Sequence, residues 1–308
     1  MINSCLFDAG FCSAPWSFLG DSLSPALSFA RASGGARFNA SGALETVSAD
    51  APRFSHDLLT QSLRGLLIEP QRTNAIGNST MQGASASPST LPTGWVNGSA
   101  GGLTRTIVGV GTEYGMPYVD IRVNGTSVGT QNVTYFDETI SAARYETWSA
   151  HFYIKLVEGG ANVSGWQAVF DEYTSAPAWT ASHSSATIPL SSSPVKVTLT
   201  EALVSSSCYT VHPGIRVVLA GSGLAVDHTF RLYAPQMEEG ASATSFIATE
   251  TAPATRAADA LSFTVPAGVT ALRYRFDDNS TQDVAVSPGA YTVPTTLGRP
   301  WIRTVRFL

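Results

Sequence analysis

The stretch TWSAHFYIKLVEG, Thr147 to Gly159, alternates apolar and polar side chains. Trp148, Ala150, Phe152, Ile154 and Leu156 share one face, while Ser149, His151, Tyr153 and Lys155 share the other. A period of two is the repeat of a strand, whose successive side chains leave opposite sides of the backbone. The stretch therefore predicts a strand of a sheet buried on one face only. His151, on the polar face, is expected in solvent.

The same alternation recurs on either side. Strands are predicted at Leu103–Val108, Tyr118–Val123, Gln131–Phe136, Gln167–Asp171, Val195–Thr200, Gly214–Leu219 and His228–Tyr233. Gly, Asn and Ser turns separate them and no helical period intervenes. Eight to ten such strands imply an antiparallel sandwich rather than a parallel sheet with crossover helices. After Asp259 the chain starts a further set, Leu261–Val265, Leu272–Phe276, Gln282–Val286, Tyr291–Val293 and Ile302–Phe307. Asp277-Asp278-Asn279-Ser280 reads as the hairpin turn between two of them, because short polar side chains bond locally and tolerate left-handed backbone. With under fifty residues this C-terminal module has a small core, so burial from outside the module is expected.

Composition agrees. Charged residues are only 13% of the chain, about half the usual share, which suits turn-rich β structure with polar surfaces. The net charge of −5 offers no overall basic balance for nucleic acid. Arginines outnumber lysines sixteen to two, so few strongly hydrated, high-entropy side chains oppose burial in an assembly. Cys5, Cys12 and Cys208 make no disulfide framework and no metal-ligand spacing. The first residues lack the basic start and apolar run of a signal peptide, and no stretch reaches the ~20 apolar residues that span a bilayer. Synthesis in a reducing cytosol, with no membrane insertion, is the expectation.

Two separated motifs add a resemblance. RGLLIEPQRTN, Arg64 to Asn74, follows FARASGGARFNASGALETVSADAPRFSHD, Phe29 to Asp57; APQMEEGASATSFI, Ala234 to Ile247, precedes TRAAD, Thr255 to Asp259. Together they resemble the segments that bracket a carbohydrate-binding-module-like, lectin-like jelly roll in bacteriophage tail-fibre and other virion-surface proteins. The resemblance covers roughly Phe29 to Asp259. It implies a jelly roll there, in agreement with the alternation, so the whole chain reads as all-β: an antiparallel jelly-roll β-sandwich with a small C-terminal β module. The domains read as an N-terminal docking lead, 1–28; a short-strand region and linker packing on the sandwich, 29–92; the jelly roll, 93–259; and the C-terminal module, 260–308. It also implies a virion location, other virion proteins and host cell-surface polysaccharide as partners, and a homotrimer.

Sequence spacing supplies no reaction. Gly125-Thr-Ser127-Val-Gly129 spells a nucleophile elbow but lies between β-like segments, where the strand-to-helix turn that motif needs is missing. Asp137-Glu138, Asp171-Glu172, Glu238-Glu239 and Asp277-Asp278 are adjacent carboxylates. Neighbours on a strand point to opposite faces, so no such pair forms a facing dyad by itself. Glu238 and Glu239 are expected to bond backbone at a strand end. The five histidines show no metal-spaced pair, and no cofactor is expected. Related jelly rolls hold a structural calcium ion through loop oxygens, but nothing in the spacing selects such ligands here.

Sugar binding uses exposed aromatic rings. Trp148 and Trp166 alternate with core positions. Trp179 sits in the loop-like TSAPAWTASHS, Tyr173 precedes it, and Trp95 follows the Pro92-Thr-Gly94 turn. Trp95, Tyr173 and Trp179 are therefore the ligand-binding candidates of a non-enzymatic tail-fibre or receptor-binding component. The alternatives are a head-decoration, collar or baseplate-peripheral protein without glycan binding, and a glycan hydrolase.

Overall fold

Nine strands carry most of the middle of the chain: β1 Leu103–Glu113, β2 Met116–Thr126, β3 Gln131–Tyr135, β4 Thr147–Gly159, β5 Val163–Tyr173, β6 Trp179–Ser184, β7 Val195–Ala202, β8 Thr210–Leu219 and β9 Ala225–Glu239. They come from a computed structural model that describes residues 16–308. One sheet runs β1-β2-β9-β4-β7 and the other runs Val96–Asn97, β3, β8, β5, β6, with Ile140–Ser141 also on β8; every pairing is antiparallel. The pairs β2 with β9, β3 with β8, β4 with β7 and β5 with β6 nest inside one another. That is the result of rolling up a long two-stranded ribbon, and it defines a jelly roll. β1 is an additional edge strand.

The two sheets enclose one core. Val119, Ile121, Phe152, Ile154, Phe230 and Leu232 meet Trp166, Phe170, Ile215 and Val217 from the facing sheet. Each fully buried large apolar side chain contributes about 1.5–3 kcal/mol of transfer free energy. Trp148 and Trp166 lie in this core, as their alternation predicts. Trp166 Nε1 donates to His228 Nε2 at 3.1 Å, so its single polar group is satisfied inside the sandwich.

The sequence reading and the fold differ in the strands, in one histidine and in the domain boundaries. Trp179–Ser184 is a strand, not a loop; it is an edge with polar side chains on both faces, so it shows no apolar stripe. His151 is buried, 1% exposed, although it sits on the outer face of its sheet, and burial holds its pKa well below the ordinary histidine value. The domain boundaries also fall elsewhere. One unit is Arg72–Arg256, and the other combines the chain up to Gln71 with Ala257–Leu308. Residues 29–71 and 260–308 thus share one unit, and residues 72–92 belong to the sandwich.

The reason is burial. Leu272, Tyr274, Phe276, Ile302 and Val305 of the C-terminal strands pack with Phe18, Leu27, Phe54, Leu66 and Ile68. The core the C-terminal residues lack by themselves is completed by this chain's own earlier residues. The sheet order there is Thr281–Ala285, Ala271–Phe276, Trp301–Phe307, Leu63–Leu67, Arg53–His56, and Trp16–Ser17 also pairs with Trp301–Phe307. Of the segment read as a docking lead, residues 1–15, with Cys5 and Cys12, lie outside the described residues. Its remainder includes Trp16 in that sheet and Phe18 in that core.

The motif residues are structural. Arg31 Nη1 pairs with Asp259 Oδ1 at 3.1 Å, Arg53 Nη2 pairs with Glu69 Oε2 at 2.9 Å, and Arg53 also pairs with Asp259, all with side chains at most 3% exposed. Asp259 Oδ2 further accepts the Glu69 amide at 2.8 Å. In the sandwich unit, Asn74 Nδ2 donates to Ile247 O at 2.9 Å and Asn74 Oδ1 accepts the Met237 amide at 3.1 Å. Glu238 accepts the amide and hydroxyl of Thr244, the backbone role expected of it. Strands Arg72–Asn74 and Ala254–Arg256 pair, so the chain enters and leaves the sandwich side by side.

Removing one partner of the buried ion network strands the others. Asp259→Ala is expected to destabilise its unit by about 3–5 kcal/mol in chemical denaturation, and an effect under about 1 kcal/mol would contradict the role given to Asp259. A pH dependence follows from His228. Burial lowers its pKa from 6.5 to about 4, so between those values the unfolded chain takes up a proton that the folded chain refuses. Stability should fall by up to about 3 kcal/mol as the pH drops through that window. Above it this group has no effect. His228→Phe should flatten that part of a melting-temperature profile.

Candidate functional site

The outer face of the β3-β8-β5-β6 sheet gathers the aromatic and acidic side chains that the core does not use. In β5, Trp166, Ala168 and Phe170 point inward, so Gln167, Val169, Asp171 and Tyr173 point outward. The register sets Asp171 opposite His212, Tyr173 opposite Thr210, and Val169 opposite Gly214. On its other side Gly214 faces Tyr135. A Cβ at Gly214 would stand 2.4 Å from Thr134 O and 3.0 Å from Tyr135 Cδ1. Glycine is thus what lets the Tyr135 ring lie close against β8.

These residues form a connected group. The Tyr135 hydroxyl donates to Asp171 Oδ2 and lies 3.5 Å from the Tyr173 hydroxyl. Tyr173 stacks on His212, ring centroids 4.0 Å apart and planes at 15°. His212 Nε2 is 3.1 Å from Thr210 Oγ1, and Nδ1 is 3.9 Å from Glu138 Oε1. Burial pushes the Tyr135 phenol above its usual range, reinforced by the bond to Asp171. Burial pushes the His212 imidazole below its own, favouring the neutral ring. Asp171 Oδ1 is buried without a hydrogen-bond partner among the described residues. Farther along, Arg216 Nη2 donates to Ser182 Oγ at 3.1 Å and Nη1 to Gln167 Oε1 at 3.3 Å.

The three candidates from sequence separate. Trp179 is 59% exposed and stands opposite Tyr173 in the β5–β6 register. Tyr173 is half-buried in the stack just described, and Tyr209, 57% exposed, donates its amide to Tyr173 O. Trp95 is a correction. It is 5% exposed, its Nε1 donates to Asn78 O at 3.0 Å, and its ring lies 4.8 Å from Phe136. The turn before it aims the indole inward, so Trp95 is core and not a contact. Tyr135, Asp171 and His212 escaped the sequence reading. Alternation in GWQAVFDEY did place Asp171 and Tyr173 on one face, but only strand pairing brings Tyr135 and His212 to them.

The carboxylate pairs diverge. Asp171 faces outward, while the fully buried Glu172 accepts His183 Nε2 at 2.7 Å and the Val204 and Ser205 amides at 2.8 and 2.9 Å. Ser127 of the elbow-like spelling donates to Gly221 O at 2.7 Å and accepts the Leu224 amide at 3.0 Å, a turn-holding role. A separate cleft of about 600 Å³ in the same unit is lined by Phe136, Asp137, Ile140, Trp148 and Glu250 among others. Both oxygens of Asp137 are engaged there, with the Gly77 amide and with Thr139. Among the described residues no group of three or more His, Cys, Asp or Glu is placed to hold a metal ion.

No protein-family model matches the chain, and no curated protein sequence matches it. Among solved structures it is similar to the enzymatically active domain of bacteriophage CBA120 tailspike protein 4, at 12% identity and a TM-score of 0.35, covering 54% of this chain and 21% of that one. It is similar to a structure described as CBM4, at 16% identity and a TM-score of 0.34, covering 54% of this chain and 100% of that one. A third is the CBM22-1 xylan-binding domain of Paenibacillus barcinonensis Xyn10C, at 12% identity and a TM-score of 0.34, covering 56% and 94%. The chain spans about a fifth of the tailspike domain's length, 21%. The jelly-roll assignment rests on the strand order and not on these likenesses.

The two tryptophans should behave oppositely on truncation. Trp95→Ala is expected to cost about 3–5 kcal/mol of stability, whereas Trp179→Ala should stay within about 0.5 kcal/mol of the parent. Paired denaturation curves measure both.

Proposed function

We propose that this chain is a non-enzymatic structural protein of a bacteriophage virion, a tail-fibre or receptor-binding component that adsorbs to host surface glycans through the outer face of the β3-β8-β5-β6 sheet. The observation that carries this reading is the clustering of Tyr173, His212, Tyr135 and Asp171 beside the exposed Trp179. Flat rings take the apolar face of a pyranose, here the exposed Trp179 and the half-buried Tyr173, while the buried Tyr135, Asp171 and His212 hold the Tyr173 ring in place. The paired motifs that resemble virion-surface proteins support the setting, with other virion proteins as partners. The opposite directions of Asp171 and Glu172 support binding over hydrolysis. In a homotrimer, several shallow sites linked on one particle raise avidity by ~10²–10⁴ over one site.

The rival reading, a docking or decoration block without glycan binding, gives a different result in one experiment. Labelled, purified chain is titrated onto candidate host cells with and without extracted surface polysaccharide. Saturable binding abolished by the polysaccharide is expected, with Trp179→Ala and Tyr173→Ala each weakening it about tenfold or more. Binding that neither substitution alters, or none at all, favours the docking block.

A further inference from the structure

The chain carries a net −5, yet its arginines are not evenly spread. Between Ala271 and Leu308 five arginines stand against three aspartates. The strand Ala271–Phe276 turns Leu272, Tyr274 and Phe276 into the core and therefore Arg273 and Arg275 outward. Its neighbour Trp301–Phe307 buries Ile302 and Val305, and the register sets Arg306 directly opposite Arg273. Like charges directly opposite on paired strands repel. Asp283, on the far side of Arg273, binds Arg273 at 2.7 Å, and Arg306 has no hydrogen bond or ion pair among the described residues.

Beside that pair, two more guanidiniums converge. Arg275 Nη2 and Arg303 Nη1 donate to the same oxygen, Asn279 Oδ1, at 2.9 and 3.1 Å. Asn279 sits at a left-handed φ of 69° in the hairpin turn, which projects its amide between them. The shared acceptor is neutral, so neither positive charge is offset by it. At the margin, Asp277 is occupied by Arg64 and Arg299, and Asp278 bonds Ser280 and lies 3.4 Å from Arg299. Each guanidinium has five donors in a planar fork that suits carboxylate, sulfate or phosphate oxygens.

We propose that this arginine face is a second binding surface, one that takes an anionic polysaccharide through Arg275, Arg303 and Arg306. A glycan bearing acidic groups fits better than a nucleic acid. Single-stranded nucleic acid needs ring faces on which bases stack. The tryptophan near this face, Trp301, already has the Arg64 guanidinium over its ring at 3.4 Å. The surface lies in the unit that does not contain the Tyr173 cluster, so the two sites stand or fall separately.

The test measures binding of the full chain to fluorescent dextran sulfate, with neutral dextran and a single-stranded oligonucleotide alongside. Saturable binding to dextran sulfate, weakened by salt and absent for dextran, is expected. Arg275→Gln with Arg303→Gln should weaken it about tenfold or more, while Arg122→Gln, at an exposed arginine paired with Asp227 in the sandwich unit, leaves it unchanged. If the double variant loses its thermal transition, Arg306→Gln, at an exposed and unbonded position, makes the same test by itself. No binding by the parent chain, binding that the arginine variants with intact melting curves do not alter, or tighter binding of the oligonucleotide than of dextran sulfate would each overturn the proposal.

Discussion

Arg31 and Arg53 share the carboxylates of Glu69 and Asp259 in a site closed to water, and the unit that combines the two ends of the described chain depends on that arrangement. The residues are far apart in sequence, Arg31 and Asp259 being separated by 228 positions. Taking four charges out of water costs several kcal/mol per ion, so the network adds little net stability over an apolar replacement. Its effect is on selection. Any other docking of these segments leaves a charge buried without its counter-ion. Arg31 Nη2 also donates to Ser48 O at 2.7 Å, and Arg53 Nη1 donates to Ala36 O at 3.1 Å, which ties the neighbouring loop and strand to the same centre.

Glu69 and Asp259 bracket the sandwich in sequence. Between them the chain enters and leaves the jelly roll on two paired strands, and Asn74 clasps the closing segment from within. The motifs that look most distinctive in the sequence are therefore fold-closing devices. They hold strand ends and satisfy buried backbone groups. The face proposed for glycans is built from plainer material, namely the alternate residues of β5 and β8 that the core leaves over. A missing side chain at Gly214 and a stack of Tyr173 on His212 give that face its shape.

Charge behaves the same way. The average over the chain is mildly acidic and recommends no anionic partner. Strand alternation and register then sort Arg273, Arg275, Arg303 and Arg306 around one turn. The sandwich sheet β1-β2-β9-β4-β7 pairs its own charges instead: Arg231 binds Asp120 and Glu113, and Lys155 binds Glu113. A basic surface thus arises from pairing of strands, without any basic run in the chain.

Period-two alternation, turn residues and the lack of an intervening helical period were enough to read an all-β antiparallel sandwich and most of its strands, because each strand's own side chains report which face is buried. Trp148 and Trp166 were legible as core for that reason. The polar edge strand Trp179–Ser184 left no such trace. Which strands pair, and in what register, is a property of residues tens of positions apart. The turn before Trp95 aims it inward, and pairing decided that Trp179 lies on an exposed edge and that Asp171 meets Tyr135 and His212. Pairing also decided that the C-terminal strands complete a core with Phe18 and Phe54. Local sequence determines the direction of each side chain relative to its own backbone; only the tertiary structure determines what lies at the end of it.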